Sequence, residues 1–358
     1  MPSPIPLPEG EVERIIRLSR NAEFARIYLE RGIHVPTFPE LLASYSGIQD
    51  PQALKETLCQ QLQGMFGEPA PASIRRKVSA WFTGSIAPES REQLVRIVFA
   101  LHMREEAAQN FLACAGGGCL HQRNPVELAY LYALRNGLGY HEALRLIGRI
   151  RAIETGNGGK THMVENEFSS VRGEEAFVRF MTEHRLNLGR MHNTAYAYFQ
   201  EYMDVLIKPP DVFDDVPERP YSVREIVQMY LNLPRSLEGS VLAKSLKKHW
   251  PDEKTLSQIA NRRLDVPRKV LILLFLITDG AAPDLSISDD ARTLFDDRYR
   301  RVNSMLDDCG YSQLDPRNVF DWLMLYCMYH NDESDSNERL QAVLKETEQN
   351  DGIGGDPA

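Results

Sequence analysis

The sequence predicts an all-α protein made of two repeated helical units joined by connecting helices. Three observations carry that prediction. Apolar residues recur at helical spacing along most of the chain, and no stretch alternates apolar and polar residues over the length of a strand. Capping boxes open apolar runs at two separate places, each with a hydroxyl and a carboxylate able to satisfy amide groups that the first helical turn leaves unbonded. Four blocks of similar sequence then occur twice in the same order.

In the first block Thr37 and Glu40, followed by Leu41, Leu42 and Tyr45, match Ser222 and Glu225, followed by Ile226, Val227 and Tyr230. The second sets Leu54 and Leu58 against Leu242 and Leu246, and the third aligns Val78 through Leu94 with Leu256 through Leu271. One gap in the third precedes a shared basic residue, Arg91 or Arg268. In the fourth, Leu112, Gly116, Leu120, Arg123, Asn124 and Tyr132 stand against Leu306, Gly310, Leu314, Arg317, Asn318 and Tyr326 at one constant offset. The shared glycine fits a left-handed helix C-cap. The Arg-Asn pair opens a new helix with Asn as N-cap, and Pro125 takes the first helical position in one copy.

Boundaries follow from these blocks and from the breaks between them. Residues 1–36 form an N-terminal tail and helix, 37–150 the first unit, 151–220 connecting helices and linker, 221–347 the second, diverged unit, and 348–358 a disordered tail. Within the connection, Arg151 to His162 is a Gly-rich break and Lys208 to Pro220 a Pro- and Asp-rich linker. Between them Phe177, Phe180, Met181, Leu188, Met191, Phe199, Tyr202 and Leu206 recur at helical spacing, which predicts one long or two short helices. The run Val270 to Ile277 has no polar face and predicts a helix buried on most sides.

A chain of 358 residues with 43% hydrophobic residues can bury two ordinary cores, which excludes wholesale disorder. Met1 to Gly10 has neither a basic start nor an apolar run, so no signal peptide is expected. The run Val270 to Ile277 falls well short of the roughly 20 residues a membrane span needs. A cytoplasmic protein with no membrane partner is the expectation, and its five scattered cysteines are expected to be reduced. The net charge of −9 argues against a protein that coats nucleic acid non-specifically. Charge is unevenly distributed, however. Acidic residues outnumber basic ones 18 to 7 from Asp279 onward, whereas basic residues lead 8 to 3 from Val241 to Val270. One basic working face and a solvating acidic remainder would produce that asymmetry.

The first unit reads as a helix near Leu54 to Met65, a turn at Gly67 to Pro71, a helix near Ala72 to Thr83, Gly84, and an apolar helix from Arg91 to Leu101. Ile74, Val78 and Trp81 form an inward stripe on the middle helix, which leaves Ser73, Arg75, Arg76, Lys77 and Ser79 facing outward. This order resembles the lambda-repressor-like (Xre-type) helix-turn-helix proteins, with two diverged copies and a helical tail similar to that of uncharacterised bacterial proteins. The resemblance implies that the outward side chains enter the major groove of double-stranded DNA, where they can reach phosphates and base edges. In the second copy it assigns the same place to Lys254, Gln258, Asn261, Arg262 and Arg263, with Leu256 and Ile259 inward. There Asp252 and Glu253 open the helix; acids favour the helix dipole but repel phosphate.

Other candidate sites are weaker. Cys114, Cys119 and His121 lack the spacing and the second ligand pair of a structural zinc site, and Trp81, Trp322 and Phe275 sit at core spacing. Gly158-Gly159-Lys160-Thr161 ends like a phosphate-binding loop, but Glu154 occupies the required first glycine position. No metalloprotease, nucleophile-elbow or kinase signature is present. The expected function is therefore non-enzymatic, without cofactor or metal. It is sequence-specific DNA binding by a transcriptional regulator, or protein interaction by a scaffold that keeps degenerate helix-turn-helix units. A protein partner or self-association fits either reading.

Overall fold

The computed structural model describes residues 7–19, 21–33, 36–66, 71–84, 86, 88, 90–115, 118–153, 167–189, 192–208, 219–233, 246, 250–279, 290–330 and 335–349. Gly116, Leu242, the turn at 67–70, the stretch 154–166 that holds the loop-like Gly158 to Thr161, most of the 208–220 linker and residues 350–358 lie outside them. Among the described residues the protein is all-α, with 17 α-helices, one π-helical turn and no strand. No helix among them is long and apolar enough to cross a membrane.

Two compact units are present. The first comprises the described residues between Pro36 and Asn193, with Gly310–Ser312. It holds α3 (Phe38–Ser46), α4 (Pro51–Phe66), α5 (Pro71–Phe82), α6 (Arg91–Ala100), α7 (Glu105–Cys114), α8 (Pro125–Arg135), α9 (Tyr140–Ile150) and α10 (Glu174–Glu183). The second holds α1 (Glu9–Leu18), α2 (Ala22–Ile27) and the π-helical turn Tyr28–Gly32. It continues with α11 (Asn193–Ile207), α12 (Val223–Tyr230), α13 (Glu253–Ala260), α14 (Arg268–Asp279), α15 (Ala291–Asp308), α16 (Val319–Met328) and α17 (Ser336–Gln349).

Helix starts follow local chemistry. Glu40 accepts from the Thr37 amide at 2.6 Å, and Glu225 accepts from the Ser222 amide at 2.8 Å. Asn124 and Asn318 are both N-caps: Asn124 Oδ1 accepts from the Val126 amide at 3.0 Å, and Asn318 Oδ1 from the Phe320 amide at 2.9 Å. Each cap satisfies donors that have no partner within the first turn.

The constant offset between Leu112 and Leu306 also relates a set of tertiary bonds, apart from their two arginines, which belong to the gapped third block. Arg91, at the start of α6, pairs with Glu127 in the first turn of α8 and donates to the Cys119 carbonyl at 2.6 Å. Arg268, at the start of α14, pairs with Asp321 in the first turn of α16 and donates to the Gln313 carbonyl at 3.0 Å. Gln109 Oε1 accepts from the Leu120 amide at 2.7 Å, as Asn303 Oδ1 does from the Leu314 amide at 2.8 Å. The Glu127 carboxylate also receives the His121 amide, and that of Asp321 the Asp315 amide. The two positions of the shared Arg-Asn pair diverge at the arginine. Arg123 is fully buried and donates to the Asn187 carbonyl at 2.9 Å, whereas Arg317 is exposed and pairs with Asp315.

Segments outside the two blocks divide between the units. Phe177, Phe180 and Met181 bury α10 in the core of the first unit, while α11 belongs to the second. The N-terminal helices also belong to the second unit, where Tyr28 lies 4.7 Å from the Trp322 ring and Arg339 donates to the Ser19 carbonyl at 3.1 Å. Helical spacing reveals an apolar face without saying which core it fills. In α14, residues Val270 through Ile277 are all buried and Leu274 is 0% exposed. All ten residues of α16 are buried as well.

Candidate nucleic-acid interface

Helix α5 carries the first set of expected DNA-binding residues. Ile74, Val78 and Trp81 recur at the spacing of one helical face and are buried, which orients the whole helix. Ser73, Arg75, Arg76 and Lys77 are thereby exposed together. Ser79 is half-buried and accepts a bond of 3.1 Å from Lys55 Nζ on α4, so it contributes to the packing of α4 on α5. Arg76 reaches back along its own helix, its Nε 3.4 Å from the Ala72 carbonyl. Burial pushes the Cys59 thiol above its ordinary value, an effect that the nearby charges of Lys55 and Arg75 oppose. The Glu56 carboxylate adds to the upward push, so charges of both signs lie near Cys59. Lys55 was not among the expected residues, and its position one step after the inward Leu54 gives no sequence signal of it.

The helix ends at Gly84, whose φ of 72° is left-handed; a Cβ there would meet nothing within 4 Å. Glycine enters that conformation without the cost that side chains incur.

The second set is not brought together in this way. Lys254 is exposed and Gln258 half-buried on α13, but the helix ends at Ala260. Asn261 is its C-cap and donates through Nδ2 to the Ser257 carbonyl at 2.8 Å. At the spacing that aligns Val78 with Leu256 and Trp81 with Ile259, Arg262 is the counterpart of Gly84, and its φ of 56° is left-handed too. Arg262 marks a helix stop written without glycine. Its guanidinium lies 4.1 Å from the Tyr196 ring centroid, while the Tyr196 hydroxyl donates to the Ala260 carbonyl at 2.9 Å. Arg263 follows in the turn, its amide donating to the Gln258 carbonyl.

The start of α13 is acidic. Asp252 is the N-cap and accepts from the Thr255 amide at 2.7 Å; bonds from Thr255 hold its carboxyl below the usual carboxylate range. Asp252 and Glu253 thus stand where α5 carries Ile74 and Arg75. Arg75, Arg76 and Lys77 are exposed on α5 itself, whereas Lys254, Arg262 and Arg263, exposed as well, are divided between α13 and the turn that follows it.

The cysteines and histidine singled out by sequence have local partners. Cys114 Sγ lies 3.5 Å from the Tyr45 hydroxyl, and Cys119 Sγ points to the Gln109 carbonyl at 3.9 Å. His121 Nδ1 accepts from the Arg123 amide at 3.0 Å, and its ring stacks on His192. Burial pushes the Cys309 and Cys327 thiols up to about 12, which keeps them protonated and unreactive at neutral pH.

Comparison with protein-family models, curated proteins and solved structures finds no match to this chain.

Proposed function

We propose that the protein binds double-stranded DNA sequence-specifically as a transcriptional regulator, with α5 as its reading helix. The observation that supports this is the exposure of Arg75, Arg76 and Lys77 on one helix whose opposite face is anchored by Ile74, Val78 and Trp81. A rigid cationic helix provides phosphate neutralisation, and arginine supplies the bidentate geometry that reads guanine in the major groove. The second unit takes an assembly role in this reading. Acids open its α13, and Arg262 is engaged with Tyr196, so its charge is unsuited to the same task.

Fluorescence polarisation with genomic DNA fragments over a salt series tests the proposal. Specific fragments should bind with an affinity that falls as salt rises. No salt-sensitive binding to any fragment at about 50 mM salt, where phosphate contacts are strong, would leave the protein-interaction scaffold as the better reading.

A further inference from the structure

The first unit contains a pocket of about 270 Å³ where α4, α5 and α6 meet. Leu62, Ile74, Val78 and Trp81 supply its apolar lining and Lys77 and Arg96 supply two cations, with no acid among the described lining residues. Arg96 is held in place from outside the lining. Its Nε lies 3.2 Å from Glu92 Oε1 and 3.1 Å from the Tyr140 hydroxyl, and its guanidinium sits 5.8 Å from the Tyr140 ring centroid. A side chain already fixed by such contacts loses little further freedom when it meets a ligand. Lys77 is exposed and has no ion-pair partner among the described residues.

We propose that this pocket binds a monocarboxylate with an apolar body, the carboxylate meeting Lys77 and Arg96 and the body lying against Trp81. Both halves of the ligand are specified by the lining. An apolar floor rewards burial of hydrocarbon, and two cations at its edge reward one negative charge. Glu92 counters part of the Arg96 charge, which leaves a net attraction suited to a monoanion rather than a polyanion. At about 270 Å³ the pocket lies near the lower end of small-molecule sites, roughly 300 Å³ and upward, which suits a medium-chain carboxylate.

Lys77 also belongs to the cationic face of α5. On the DNA-binding reading, a carboxylate that engages Lys77 withdraws it from phosphate, so the ligand lowers DNA affinity. The pocket is thereby an effector site, and this consequence rests on the function proposed above.

Octanoate is the probe, with 1-octanol as its uncharged analogue, and the readout is tryptophan fluorescence of the full chain without DNA. Octanoate should give a saturable change that is lost in Trp81→Phe, and it should bind at least about tenfold more tightly than octanol, the worth of one charge-assisted hydrogen bond. Lys77→Gln and Arg96→Gln should each bring octanoate toward the affinity of octanol. Equal affinity for the two probes, a signal that survives Trp81→Phe, or absence of saturation would overturn the proposal. Nuclear Overhauser effects from octanoate to the Ile74 and Val78 methyl groups in the unaltered protein test the same seating independently of how the variants fold, and their absence at saturating octanoate would also overturn it.

DNA affinity measured with and without octanoate separates the two readings. Octanoate binding by a protein that binds no DNA overturns the regulator and leaves the pocket standing. DNA binding by a protein that ignores octanoate does the reverse. DNA affinity unchanged by bound octanoate overturns the effector role.

Discussion

Arg268 meets Asp321 through two parallel bonds of 2.8 Å each, and the Asp321 side chain is only 3% exposed. The pair ties the start of α14 to the start of α16 through a carboxylate that also receives the Asp315 amide. Removing Asp321 leaves the half-buried Arg268 charge without its partner. Asp321→Ala should therefore cost about 3 to 5 kcal/mol in urea unfolding, whereas replacing both Arg268 and Asp321 by leucine should recover much of that loss. A single variant as stable as the parent would show that the pair is solvated in solution.

Glu225 gives the stability of α12 a defined pH dependence. Its carboxyl is held down to about 2, first by hydrogen bonds from Arg219 at 2.6 and 3.1 Å and then by those from Ser222. A depressed carboxylate adds stability above its unfolded pKa, and that stability is lost as pH falls through the folded one. The contribution should thus be complete above the ordinary value of 4.5 and be lost as pH falls from there through about 2. An NMR titration of the Glu225 carboxyl checks it directly, and a midpoint at the ordinary value would remove the effect. Glu225→Gln should be less stable than the parent at neutral pH and converge on it as pH falls below about 2, where the carboxyl becomes neutral.

Leu274 tests the buried helix α14. The residue is 0% exposed and its neighbours on both sides along the helix are buried too. Leu274→Ala should cost about 2 to 5 kcal/mol, because the lost transfer free energy is joined by that of the cavity left behind. Chemical denaturation measures the change, and an unaltered midpoint would mean that the helix is not part of a tight core.

The cationic face of α5 can be separated from folding. Changing Arg75, Arg76 and Lys77 together to alanine should leave the melting temperature nearly unchanged, since these side chains are exposed and the helix is anchored from its other face. DNA affinity should fall, and the slope of log affinity against log salt should flatten by about 0.9 for each phosphate that is no longer neutralised. Arg262→Ala with Arg263→Ala should leave that slope intact, because both residues lie beyond the end of α13. A salt slope unmoved by the triple change would show that DNA is held by another surface.

The sequence by itself determined the helical class, the two capping boxes, the asparagine N-caps, the inward stripe of α5 and the buried run of α14. Each depends on residues within a few positions of one another, so the pattern that produces it is written along the chain. Tertiary structure decided which core receives each apolar face, placing α10 in one unit and the N-terminal helices in the other. It also decided the partners of Arg91 and Arg268, the burial of Arg123, and the place of Arg262 in the turn beyond the end of α13. Sequence could not reveal that last point because the helix stop takes its left-handed residue without the glycine that marks Gly84. The difference has one physical cause: caps and turns are directional bonds within a turn of chain, whereas burial is non-directional and accepts any apolar surface that packs.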